Sequence, residues 1–174
     1  MRIALVGDVM LGRLVNRTLK HNHPAYPWGN TLSILQTADL RICNLECVLS
    51  DIGNPWSSTT KMFHFRSDEK NIHSLQMAKI NIVSLANNHV LDYDHEALKR
   101  MLNILDKQGI LYAGVGEDFK EASRPAFFQI RGFKIALVAF TDNEPAWAAQ
   151  ENKPGILYIP TDIHDRRMQI FLRH

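Results

Sequence analysis

The segment from residue 79 to residue 107 limits what this chain can fold into more than any other. Lys79-Ile80-Asn81-Ile82-Val83-Ser84-Leu85 is a short apolar run rich in β-branched residues, which predicts a buried strand. From His95 to Lys107, apolar residues fall at Leu98, Met101, Leu102 and Leu105, the spacing of one helix face. Between them lies Ala86-Asn87-Asn88-His89-Val90-Leu91-Asp92-Tyr93-Asp94. A strand, a polar connection and an amphipathic helix make a β–loop–α unit, and in an open α/β sheet ligands gather beyond the C-terminal ends of the strands. Two amides, an imidazole and two carboxylates therefore stand where a metal or an oxyanion would bind. Asn supplies a neutral carbonyl to a hard cation or an amide donor to a phosphate oxygen. His89 can ligate a metal or protonate a leaving group near neutral pH. Asp92, three residues on, can fix the His89 tautomer by accepting a ring N–H. The alternative is a turn at Asn87-Asn88, with Asp92 or Asp94 capping the next helix. For the aspartates both readings stand; for Asn88 and His89 function is preferred, because strand-end loops carry sites disproportionately.

Other strand ends repeat the pattern. Residues 2–6 predict a buried first strand opening onto Gly7-Asp8-Val9-Met10-Leu11-Gly12-Arg13, which sets Asp8 at the crevice, with a helix from Leu11 to about Lys20. Gly7 and Gly12 have the spacing of a phosphate-binding P-loop, but Arg13-Leu14 replaces the Lys-Ser/Thr pair that motif needs, which argues against such an NTPase. Residues 39–46 read as a second strand, and alternation puts Asn44 and Glu46 on one side of it. His21 and His23 fall in a Pro- and Gly-containing loop and read as surface residues. Residues 50–61, rich in Gly, Pro, Ser and Thr, predict a long mobile loop, and Ser67 or Asp68 caps a helix through Met77. Gly109 stops the helix that ends at Lys107, and Asp118 to Ala122 predicts a short helix. Residues 126–130 and 133–140 flank Arg131-Gly132 as a hairpin. The nearly continuous apolar run 133–140 predicts a strand buried on both faces, with Asp142-Asn143-Glu144 at its end. A last helix starts at Thr161 or Asp162, with Ile163, Ile170 and Phe171 apolar.

Composition narrows the class. A chain of 174 residues suits one domain with a real core. A formal net charge of +2, with no basic run or basic–aromatic stripe, predicts no nucleic-acid partner. Cys43 and Cys47 make no disulfide framework; a reduced compartment and small core residues are the simpler reading. The apolar start ends at Gly7-Asp8, too short for a signal peptide, and no stretch approaches the ~18 apolar residues of a membrane span. A soluble cytoplasmic chain is expected, with membrane association only through partners.

Three segments together carry a resemblance. Gly7-Asp8-Val9-Met10-Leu11-Gly12-Arg13, Asn44-Leu45-Glu46 and Asn87-Asn88-His89-Val90-Leu91-Asp92-Tyr93 resemble the bacterial capsule-synthesis CapA, or poly-γ-glutamate synthesis, family. Ala113-Gly114-Val115-Gly116 with Ala122 and Pro125, and the 133–140 strand, extend the likeness to about residue 160. The resemblance implies a single domain over residues 1–174 with a calcineurin-like metallophosphoesterase α/β/α sandwich. It implies divalent metal ions (Mn, Fe or Zn) held by Asp8, Glu46 and Asn88, with His89 as the acid beside the leaving group. Asn44, Asn87 and Arg13 would contact a phosphorylated or polyanionic substrate. Asp94 stands where that family usually has Gly, so the backbone there must be one that Asp adopts, and Asp tolerates the left-handed region better than most residues. The family's later histidine segments, a His-Trp-Gly-type strand end and a Gly-His-His-Pro-His-type loop, have no counterpart; His164 and His174 match neither. The expectation is thus a domain truncated at its C-terminus, weakly active or inactive, and self-associating through an uncovered sheet edge near that C-terminus. Two other classes stay open: a non-catalytic accessory protein that binds a polyanion or a synthesis partner, and, on Gly7 and Gly12 alone, a nucleotide-binding module.

Overall fold

The computed structural model describes residues 1–171 of the chain; residues 172–174, His174 among them, and the Phe171 side chain lie outside the described residues. In chain order the elements are β1 (Ile3–Val9), α1 (Arg13–Leu19), α2 (Thr31–Gln36), β2 (Leu40–Leu45), β3 (Val48–Leu49), β4 (Arg66–Ser67), α3 (Ile72–Met77), β5 (Ile82–Ser84), α4 (Asp94–Lys107), β6 (Leu111–Ala113), β7 (Val115–Gly116), α5 (Phe119–Ala122), β8 (Ala126–Ile130), β9 (Phe133–Leu137), β10 (Gly155–Ile156) and α6 (Arg166–Phe171). The fold is α/β. Four strands form one parallel sheet in the order β1-β2-β5-β6. Parallel neighbours need crossovers. Helices α1 and α2 lie between β1 and β2, α3 between β2 and β5, and α4 between β5 and β6.

Register separates the two faces of the sheet. Ile42, Ile82 and Leu111 stand side by side, as do Cys43, Val83 and Tyr112 on the opposite face. Cys43 and Val83 join Leu19, Leu35, Leu75, Leu98, Met101 and Leu105 in the main core, so α1 to α4 pack on one face. On the other face Leu40, Ile82 and Ala113 meet Ala126, Ala139, Phe128, Ile135 and Leu137 of the antiparallel β8–β9 segment. A hairpin therefore stands on this face, where the expected sandwich would place helices. Its turn, with Arg131 at φ +48° and Gly132 at φ +81°, has the left-handed pair that two-residue hairpins require.

Two strands read as buried are not. In β1, Ile3 is 42% and Leu5 76% exposed, because β1 is the sheet edge and the hairpin does not reach over it. In the 133–140 run, Phe133 is 59% and Phe140 45% exposed. An antiparallel hairpin lying on a sheet buries one face and leaves the other to water. Residues 51–65 carry neither helix nor strand, in keeping with the loop predicted over 50–61, yet that loop is pinned: Trp56 is buried and its backbone N–H donates to the Asp92 carbonyl at 2.9 Å. Asp68 does not cap the helical turn that follows it; its Oδ1 accepts from Asn16 Nδ2 at 2.9 Å. Asp118 does cap α5, accepting from the Glu121 N–H at 2.7 Å. Asp94 sits at φ +69°, the left-handed conformation its type tolerates. Among the described residues, no helix is long and apolar enough to cross a membrane.

Candidate functional site

A bulge in β1 sets the first site residue. The register between β1 and β2 runs Leu5 to Ile42 and then Asp8 to Asn44, so β1 carries one residue more than its partner over this interval. Gly7, at φ +75°, lies inside that irregularity. Bulges re-aim side chains beside active sites; here the extra residue brings Asp8 opposite Asn44 at the strand ends. Asn44 Nδ2 donates to Asp8 Oδ1 at 2.9 Å. Asn44 Oδ1 accepts from Asn87 Nδ2 at 2.9 Å, and the same Asn87 amide donates to the Leu45 carbonyl at 3.0 Å. Asn87 Oδ1 accepts from the His89 N–H at 2.9 Å. Asn87 is thus fully engaged in joining β2 to the β5–α4 connection.

His89 is 7% exposed and Asp92 is fully buried. Asp92 Oδ2 accepts from the Phe65 N–H and from His89 Nδ1, each at 2.6 Å. That settles the open choice for Asp92: it orients His89 and caps nothing. With Nδ1 donating to a carboxylate, Nε2 is left as the nitrogen available for proton transfer. The Phe65 ring stacks on the imidazole at 3.9 Å between centroids and 19° between planes. Arg13, at φ +53°, places its guanidinium 5.4 Å from the Phe63 ring centroid and 5.8 Å from that of Phe65. Arg13 is exposed, and among the described residues no carboxylate pairs with it. The side chains of Asp8, Asn44, Glu46, Asn87 and His89 therefore come together at one end of the sheet, with Arg13 on the rim.

Burial first, then the adjacent Asp8 carboxylate, pushes the Glu46 carboxyl above its ordinary range; His89 nearby opposes the shift. Asn88 is half-buried, and its carbonyl accepts from Lys61 Nζ at 2.5 Å. For a divalent cation the chemistry is half met: Asp8 and Glu46 are two crowded oxygen donors that a positive ion would relieve. Among the described residues, no three His, Cys, Asp or Glu side chains gather closely enough to hold a metal ion by themselves. His21 and His23 are exposed in their loop. Burial pushes the Cys43 and Cys47 thiols up to about 12, so both behave as core residues.

Lys61 is the residue the sequence reading missed. Its side chain is 7% exposed, with Nζ 3.0 Å from Glu144 Oε1, 3.3 Å from Asp92 Oδ1 and 4.8 Å from the Trp147 ring centroid. It closes the Gly-, Pro-, Ser- and Thr-rich loop, and its partners are remote in sequence. Glu144, at a strand end already rich in polar groups, was the one visible signal.

Comparison with known proteins gives a consistent set. A family model described as bacterial capsule synthesis protein PGA_cap matches residues 2–171. The chain is 27% identical over 164 residues to the capsule biosynthesis protein CapA of Bacillus anthracis, which covers 92% of this chain and 40% of that protein. It is 26% identical over 156 residues to the PGA biosynthesis protein CapA of Bacillus subtilis strain 168, covering 88% and 41%. It is 26% identical over 195 aligned positions to a probable polyglutamine synthesis accessory protein of Mycobacterium tuberculosis strain H37Rv, covering 90% and 51%. The chain spans about two-fifths to one-half of the length of these relatives.

Proposed function

The chain belongs to the bacterial capsule synthesis protein PGA_cap family, and on that premise we propose that it serves capsule or poly-γ-glutamate production through a metal-assisted hydrolytic site of calcineurin-like metallophosphoesterase type. The observation that carries the reading is the unbroken chain of hydrogen bonds from Asp8 through Asn44, Asn87 and His89 to Asp92. It couples a carboxylate suited to a cation with an imidazole suited to proton transfer, at the strand ends where an α/β sheet binds ligands. Asp8 and Glu46 would hold a divalent ion, Mn, Fe or Zn, with the Asn88 amide as a neutral ligand. Such an ion, when bound, supplies charge stabilisation at a phosphoryl oxygen and lowers the pKa of a water.

The chain's own residues do the rest. Arg13 and the second Asn44 amide hydrogen face an anionic substrate group. His89 Nε2 is the atom from which a proton reaches the departing oxygen, and Asp92 keeps the imidazole turned for it. Asn87 holds Asn44 and His89 in register.

The test is hydrolysis of an aryl phosphate with Mn2+ beside calorimetric Mn2+ binding. Turnover by this chain is expected to be weak, since only two carboxylates and an amide would anchor the ion. His89→Ala should lower it by about 10²–10⁴-fold without changing Mn2+ affinity, and Asp8→Ala should abolish binding. Turnover that persists in both variants sinks the reading. The second reading, a non-catalytic protein that binds a polyanion or a synthesis partner, is supported by the exposed Arg13, which no carboxylate pairs among the described residues. Polyanion binding lost in Arg13→Ala, with no turnover in the wild type, selects it.

A further inference from the structure

We propose that Lys61 is a positioning residue for His89, acting through the Asp92 carboxylate, with no contact to substrate. An ammonium has three donors. Those of Lys61 face three oxygens: the Asn88 carbonyl at 2.5 Å, Glu144 Oε1 at 3.0 Å and Asp92 Oδ1 at 3.3 Å. With its side chain 7% exposed and its ammonium enclosed by these three oxygens, two as hydrogen-bond acceptors and Asp92 Oδ1 as an ion-pair partner, Lys61 is closed to an incoming anion.

What it does offer is charge balance at a buried group. Asp92 is fully buried, and its two oxygens are used differently. Oδ2 takes the Phe65 N–H and His89 Nδ1; among the described residues Oδ1 accepts no hydrogen bond and has the Lys61 ammonium as its charged neighbour. A buried carboxylate without a counter-charge is unfavourable, so loss of Lys61 leaves Oδ1 bare and favours rotation of the carboxylate toward other donors. Rotation would move Oδ2, and His89 Nδ1 hangs on that atom. The imidazole is thus fixed twice: in its plane by Asp92, whose setting depends on Lys61, and on its face by Phe65. Lys61 lies 27 residues from Asn88 and 83 from Glu144, so one side chain ties the loop ahead of Phe65, the β5–α4 connection and the segment after β9 into one unit.

The experiment separates positioning from mere tethering. Proton NMR of the folded 174-residue chain should show a strongly deshielded His89 Nδ1–H, the signature of a short imidazole–carboxylate bond. Lys61→Met should shift or broaden that resonance, whereas Glu144→Ala, which removes that acceptor while leaving Lys61 beside Asp92, should preserve it. Lys61→Gln is the second variant should Lys61→Met not fold. With an aryl phosphate and Mn2+, Lys61→Met should lower kcat by about 10–100-fold with KM little changed, the usual effect of losing an outer-shell partner. The kinetic arm rests on the hydrolase reading, but the NMR arm does not. A wild-type chain without turnover therefore overturns that reading and leaves the resonance to decide this one. An unchanged His89 resonance in both Lys61 variants, or identical shifts in Lys61→Met and Glu144→Ala, overturns the positioning role.

Discussion

A Cβ added at Gly7 would meet no atom within 4 Å, yet Gly7 sits at φ +75°. Gly7→Ala is therefore expected to cost about 1–2 kcal/mol through backbone strain alone. If relieved, that strain straightens the bulge and takes Asp8 away from Asn44. Urea unfolding should show the loss, and Mn2+ affinity should fall with it; a variant of native stability and affinity would show that the bulge does not depend on the left-handed residue. Glu46 makes the opposite case. Its folded pKa is raised, by burial and then by Asp8, so the penalty is absent below the ordinary carboxylate range. The penalty grows as pH rises from that range through the folded value, and is complete above it. In metal-free protein Glu46→Gln should thus be slightly stabilising at pH 7, by about 0.5 kcal/mol once solvent screening is allowed for, and neutral in acid; thermal melting at the two pH values checks it. At this scale the sequence was informative where chemistry and position coincide. Asp8, Asn44, Glu46 and His89 are polar residues at or just past the C-terminal ends of apolar strands, and that alone marks them. Lys61 follows a run of small polar residues, and nothing near it in sequence announces an ion pair with residues of two other segments.

Arg41 shows how elements are joined below the site. It is buried in β2, and its guanidinium donates to the carbonyls of Leu35, Ala38 and Lys79 and to Asn81 Oδ1. It thereby satisfies the carbonyl end of α2 and the turn between α3 and β5, groups that a helix terminus leaves without partners. Arg41→Met should strand those carbonyls and cost about 3 kcal/mol in urea unfolding; a loss under ~1 kcal/mol would mean that water replaces the guanidinium. The pair Glu69–Arg100 ties the turn before α3 to α4, with Arg100 Nε at 2.7 Å and Nη2 at 2.6 Å from the carboxylate. The hydrogen bonds from Arg100 hold the Glu69 carboxyl below its ordinary range. Its stabilisation is full above the unfolded pKa and disappears as pH falls through the folded one. Glu69→Gln should therefore lower stability at pH 7 by under ~1 kcal/mol, Arg100 being 42% exposed, and match the wild type in acid. Element type was readable from periodicity and turn residues: α4, the Arg131-Gly132 hairpin and the short helix α5 all form. Burial was not. β1 and the 133–140 strand are apolar enough for a sheet interior, but hydropathy cannot say which strand is an edge or which face of a hairpin meets water.

For the whole molecule the decisive asymmetry lies between the two faces of the sheet. One is covered by α1 to α4, and the other only in part, by the hairpin. Ile3 and Leu5 align with Leu40 and Ile42 on the hairpin's face, yet Leu5 is the most exposed residue of that row. Phe127 and Phe133 add exposed aromatic surface on the hairpin itself, 51% and 59% accessible. A Leu left in water forfeits roughly 1.5–3 kcal/mol of burial, and an apolar edge strand offers unpaired backbone groups to another chain. Pairing β1 with β1 of a second copy would occupy both at once in a closed, two-fold contact. The chain is accordingly expected to self-associate with rising concentration, which sedimentation equilibrium measures directly. Leu5→Lys places a charge on the edge, where natural sheets use lysine against such pairing. It should shift the equilibrium toward monomer while changing the chain's own stability by no more than about 0.5 kcal/mol, because the position is already solvated. A wild type that stays monomeric across the concentration range would mean that the exposed row is too narrow, beside the β1 bulge, to hold a second copy.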